Sequence, residues 1–162
     1  MNSKIKGTIL ATLAVAMACG AAAGEGRKER DYTAYLQGAW TTQVTVRNCI
    51  SGDVLLGPFA GMNTFHQGGT QSETGAGTPT SRRGPGHGLW YRTGKHSFAG
   101  KFVFQRFDLN GFFIGTQEVR ATNEVAEGSM QATAVAKIVL LDANGVQLGT
   151  GCATADMKRM PF

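Results

Sequence analysis

The chain has 162 residues, of which 42% are hydrophobic and 17% charged, and a formal net charge of +5. That length suits one domain with a real core, and the basic residues are dispersed apart from Arg27-Lys28 with Arg30 and the pair Arg82-Arg83, a distribution that excludes a nucleic-acid footprint. The 23 glycines fall at turns without a period, which excludes a collagen-like chain or a Gly-rich linker.

In chain order, the first element is an export signal. Lys4 and Lys6 supply a basic start, Thr8 to Ala18 an apolar stretch, and small residues follow from Ala16, the three-part pattern of a cleavable secretory peptide. The stretch is shorter than the about 20 apolar residues of a permanent span, and no later segment qualifies. Ala16-Met17-Ala18 and Ala21-Ala22-Ala23 both fit a cleavage site, so the signal covers residues 1–23 with cleavage after Ala18 or Ala23. The expected location is periplasmic or secreted. Cleavage after Ala18 makes Cys19 the first residue and a candidate for lipidation, which would anchor the protein to a membrane; plain cleavage is the alternative. Loss of Lys4 and Lys6 brings the net charge to +3. Residues 24–36 read as a short tether, with one helical turn expected in Asp31 to Leu36, and the folded domain as 37–162.

Beyond the tether, apolar residues recur with a period near two, and turn residues punctuate them. The first strand carries Trp40, Thr42, Val44 and Val46 on one face, and Ser51-Gly52-Asp53 turns it into a second strand ending at Phe65. His66-Gln67-Gly68-Gly69 reverses the chain into a third strand over Thr70 to Thr74. Gly75 to Gly86 is the long irregular loop. Its continuation, Gly84-Pro85-Gly86-His87-Gly88, lacks the Gly-Lys-Ser/Thr ending of a phosphate loop and reads as a lid-like turn at the barrel mouth. The fourth strand holds Leu89-Trp90-Tyr91, and Thr93-Gly94 leads to a fifth through Phe98, Phe102 and Phe104. Asn110-Gly111 is a two-residue hairpin signal into a sixth strand, about Phe112 to Thr122. After Glu127-Gly128 the seventh places Met130, Ala132, Ala134, Ala136, Ile138 and Leu140 on one face, and Asn144-Gly145 turns it into the eighth, Val146 to about Ala155.

Eight antiparallel strands joined in sequence by short turns predict an all-β domain, an eight-stranded antiparallel up-and-down barrel that leaves no free sheet edge. A β-sandwich, the alternative, needs longer crossing connections. At eight strands the interior is packed solid or holds one small ligand. Cys49 and Cys152 are the cysteines left once Cys19 is removed or lipidated. In an oxidising compartment they are expected to pair, tying the first strand to the last; two buried thiols are the alternative. With no Cys-x-x-Cys or His cluster beside them, neither metal nor cofactor is expected.

Gly38-Ala39-Trp40 at the start of the first strand resembles the Gly-x-Trp signature of lipocalin and wider calycin barrels, and Arg159 resembles the basic residue that stacks on that Trp. An allene oxide cyclase-like barrel is similar in strand pattern, and that group includes cyclising enzymes. The lipocalin helix that packs outside the barrel has no room before Phe162. The resemblance implies a pocket for a small, largely apolar molecule.

Strand alternation that turns Phe98, Phe102 and Phe104 inward also turns His96 and Arg106 inward, while Phe112, Ile114, Glu118 and Arg120 share a face of the sixth strand. If that face is interior, Glu118 and Arg120 meet inside the barrel; otherwise they are solvated or paired for structure outside it. Glu73 is expected near Phe65 across its hairpin. Glu73, Glu118 and His96 are therefore the candidate acids or bases, and Trp90, Phe98, Phe102, Phe104, Arg106, Arg120 and Met130 the candidate ligand contacts. Two functions from different classes follow: a module that carries or sequesters a small apolar ligand, and a barrel enzyme such as an isomerase or cyclase. A packed structural barrel is a third reading. Phe107 and Phe113 on the outer wall would suggest a dimer or membrane-surface contact.

Overall fold

The computed structural model describes residues 35–125, 128 and 130–161. The signal peptide, Cys19 and nearly all of the tether, including most of the turn expected at Asp31 to Leu36, lie outside the described residues. The strands are β1 (Gly38–Arg47), β2 (Val54–Phe65), β3 (Thr70–Gly75), β4 (Gly86–Arg92), β5 (Ser97–Phe107), β6 (Phe113–Val125), β7 (Gln131–Asp142) and β8 (Gln147–Arg159). Each pairs antiparallel with its neighbour in sequence, and β8 returns to β1 to close the barrel. The order and number of strands are those expected from the spacing, and every edge is paired, as closure requires.

Local chemistry explains the tight reversals. Asp108-Leu109-Asn110-Gly111-Phe112 and Asp142-Ala143-Asn144-Gly145-Val146 are built alike. In each, Oδ1 of the Asp accepts the amides of the Asn and of the apolar residue, at 2.8 and 2.9 Å in the first and 2.9 and 2.8 Å in the second. The glycine of each turn sits at φ +83°, a left-handed conformation that a Cβ would strain. The Gly-Pro-Gly-His-Gly run is a different case: Gly86, His87 and Gly88 begin β4 rather than forming a lid, because they supply ladder partners to Glu73, Ser72 and Gln71 of β3.

Register sorts the side chains. Inner positions pair with inner positions around the barrel: Phe102 with Val119, Val119 with Ile138, Ile138 with Gly151. At one end they form a packed floor of Leu36, Trp40, Phe65, Trp90, Phe98, Val125, Ala132 and Met157. Trp40 donates through Nε1 to the Leu36 carbonyl at 2.8 Å, and the Arg159 guanidinium lies 4.4 Å from its ring centroid. Arg159 also donates to the carbonyls of Gln37 and Tyr35, so one cation ties the segment just before β1 to the last strand. Trp90 and Phe98 meet edge to face, with centroids 6.1 Å apart, a favoured aromatic geometry.

Cys49 and Cys152 form a disulfide with Cα atoms 5.2 Å apart, closing a sequence separation of 103 residues. It lies beside the β1–β8 seam, where Arg47 pairs with Cys152, so the crosslink sits at the junction that turns a sheet into a barrel. The outer face mixes exposed Lys101, Arg120, Lys137, Asp156 and Lys158 with exposed Met62, Leu89, Tyr91 and Val135. No helix among the described residues is long and apolar enough to cross a membrane.

Candidate functional site

A chamber above the floor arises from an imbalance of side-chain size. On β7 and β8 the facing inner positions are small, Ala134 with Ala155, Ala136 with Ala153 and Ile138 with Gly151. Phe102 and Phe104 of β5 form the large-residue wall. Together they enclose a cavity of about 610 Å³ whose lining reaches Ile50, Leu55 and Thr78, residues at the end of the barrel opposite the floor. That volume is typical of a site for one small molecule. Around this mouth Ile50, Leu109, Phe112, Val146 and Leu148 are exposed, an apolar rim contributed by three of the odd-to-even hairpin turns.

Polar side chains are set among the apolar ones of the chamber. Arg83, at the end of the long loop, donates to Glu73 Oε2 at 2.6 Å and to Glu73 Oε1 at 3.3 Å, with both side chains about nine-tenths buried. Its guanidinium carbon lies 3.8 Å from the Phe104 ring centroid, so the cation is held by a carboxylate and a π face together. Gly86 makes the room: a Cβ there would come within 2.6 Å of Glu73 Oε2. Deeper, Thr42 Oγ1 and Gln71 Oε1 line the chamber and, fully buried, find no protein partner among the described residues. Buried polar atoms are normally satisfied, and within the described residues these two are exceptions.

The expected site residues divide. Phe102 and Phe104 line the chamber. Arg106 is the next inner position toward the mouth, and Arg83 lies directly opposite it across an isolated antiparallel bridge. Trp90 and Phe98 belong to the solid floor instead, because aromatic packing there closes the barrel below the cavity. Met130 precedes β7 and is 46% exposed, so only the later residues of its face, from Ala134 onward, line the chamber. Glu73 does lie inside, opposite Asn63 rather than Phe65.

Glu118 and Arg120 meet, but on the outside. The inner residues of β6 are Gln117, Val119, Ala121 and Asn123, so the alternation turns Glu118 and Arg120 to the outer face, where charges keep their hydration. There Glu118 is held by Lys101 at 2.6 Å and by Arg120 at 2.5 Å. The Lys101 hydrogen bond, with burial opposing it and Arg120 adding to it, keeps the Glu118 carboxyl below its ordinary value. His96 also lies outside the chamber. It sits in the β4–β5 turn at the floor end, its ring 5.7 Å from that of Tyr35, beside a second hollow of about 820 Å³ whose lining mixes Glu124, Asp156 and Lys158 with Val125, Ala132 and Met157.

Arg83 is the chamber residue that sequence spacing did not single out. It stands in an irregular loop, where strand alternation says nothing about direction. The signal available was the excess of interior candidates: one carboxylate at an inner position of β3 needs a buried partner. Asn63 and Asn123 were equally legible as polar residues in phase with the apolar ones, whereas Gln71 stands on β3, which has no apolar side chain to set a phase. Among the described residues no three His, Cys, Asp or Glu side chains gather as a metal site. Comparison with family models, curated proteins and solved structures finds no match.

Proposed function

We propose that this protein is an exported binding module that holds one small, largely apolar molecule inside the barrel. The observation that carries the reading is the chamber itself: about 610 Å³ with apolar walls, a few buried polar atoms without protein partners, and an apolar rim at its mouth. A barrel serving only as structure gains nothing from alanines facing alanines across β7 and β8, since filling that space would add buried contacts. An isomerase or cyclase is the second reading, favoured by the Glu73 carboxylate inside the chamber. Both of its oxygens are taken by Arg83, an arrangement that suits orientation of a ligand better than proton exchange.

Export rests on the N-terminal pattern of Lys4, Lys6 and the apolar stretch, and the Cys49–Cys152 disulfide supports it. Lipidation at Cys19 would add a membrane anchor. Kinship with calycin barrels is supported by the Arg159 guanidinium over Trp40. The test is native mass spectrometry of protein purified from its host compartment: a non-covalent adduct released on mild denaturation is expected, and a clean apo mass under gentle conditions counts against a carrier.

A further inference from the structure

We infer that the barrel's ligand is an amphipathic anion, and that Arg106 with Arg83 forms the subsite for its acidic group. The inference rests on the binding reading above and names the ligand's chemical class. The chamber is lined by three charged side chains, Glu73, Arg83 and, toward the mouth, Arg47, which donates to Thr154 Oγ1 and the Gly52 carbonyl; Arg106 stands beside that lining, opposite Arg83. Glu73 neutralises Arg83. Arg106 forms no hydrogen bond or ion pair among the described residues, and its Nη1 is fully buried. Arg47 is held by neutral oxygens alone, so among the described residues neither Arg47 nor Arg106 has a counter-charge, and Arg106 alone also lacks a hydrogen-bond partner.

Two parities place Arg106 inward. It follows Phe98, Phe102 and Phe104 at even spacing on β5, and it faces Arg83 across an antiparallel bridge, where directly opposed residues share a face. Arg83 points into the chamber, onto Glu73 and Phe104. Opposed like charges destabilise a sheet, and a buried guanidinium without a partner is costlier still. Arg83 Nε is likewise buried without a partner, so each of the two guanidiniums keeps at least one free N–H. The carboxylates nearest this end do not answer the charge. Asp108 and Asp142 turn theirs into their own hairpins, accepting the amides of Asn110 and Phe112 and of Asn144 and Val146. Gly115 is the partner of Arg106 on β6 and offers no side chain. A monoanion with its acid at this level and its apolar body against Ala134, Ala136 and Val119 would satisfy the free donors and fill the chamber.

The test uses a matched dye pair with the mature protein: 1-anilinonaphthalene-8-sulfonate, an anion, and N-phenyl-1-naphthylamine, the same skeleton without the sulfonate. The wild type is expected to bind the sulfonate more tightly. Arg106→Gln should weaken sulfonate binding by about tenfold to a hundredfold, the range of a charge-assisted hydrogen bond, and leave the neutral dye unchanged. Arg106→Lys should retain the preference for the anion. Neutral-dye binding with no preference for the sulfonate, or equal losses of both dyes in Arg106→Gln, overturns the anion subsite while leaving the chamber reading intact. If the wild type binds neither dye, the chamber reading fails and the anion subsite with it.

Discussion

The buried pair of Glu73 and Arg83 is the feature whose removal most sharply separates a dry chamber from a flooded one. Both side chains are about nine-tenths buried and meet at 2.6 Å, and Arg83 also lies over Phe104. Truncating one partner leaves the other charged and buried, which costs about 3–5 kcal/mol, whereas replacing both by neutral groups of similar size is close to neutral. Glu73→Gln and Arg83→Met should therefore each lose about 3–5 kcal/mol, a large share of a domain stability of about 5–15 kcal/mol. The Glu73→Gln, Arg83→Met double variant should recover most of that loss. Urea denaturation followed by circular dichroism gives the three values, and the cycle isolates the coupling. Single losses under about 1 kcal/mol, additive in the double variant, would show that water screens the pair and would refute its burial.

Three further outcomes follow from the same structure. Reducing the Cys49–Cys152 bond releases a loop of 103 residues, which the chain-entropy model values at about 4.7 kcal/mol; scanning calorimetry should show melting lowered by roughly 10–20 °C. Arg159→Met removes the cation over Trp40 and two hydrogen bonds to carbonyls, and should cost about 2–4 kcal/mol in urea midpoint at unchanged slope. Glu118 has its folded-state pKa held below the ordinary value, chiefly by Lys101. Its contribution is thus present above the unfolded pKa and lost as pH falls through the folded one. Glu118→Gln should cost at most about 1 kcal/mol near neutral pH, and the difference from wild type should vanish under acid.

Strand number, order and closure were legible in the chain because period-two apolar spacing and the Asp-x-Asn-Gly turns act locally. The disulfide followed from having two cysteines in the folded domain. The face of β6 was not legible: its inner residues Gln117, Val119, Ala121 and Asn123 are hardly more apolar than the outer ones, and a one-residue change of phase exchanges inside for outside. A bulge between Arg106 and Phe107 breaks the alternation just where β5 hands over to that strand. Nor does alternation say how deep a residue sits. Phe98 and Phe104 share a face, yet one closes the floor and the other walls the chamber. Arg83 came from a loop, and only the three-dimensional return of that loop over β3 brings it to Glu73.

The claim that the ligand sits inside the barrel is tested most directly by titrating N-phenyl-1-naphthylamine into wild type, Ala136→Phe and Val135→Phe. Ala136 lines the chamber, whereas Val135, its neighbour on β7, is exposed on the outer face. One saturable site is expected in wild type and in Val135→Phe, with affinity lost at least about tenfold in Ala136→Phe, as a ring occupying the ligand's space requires. Equal binding by all three proteins would place the dye on the apolar rim and contradict a chamber that binds.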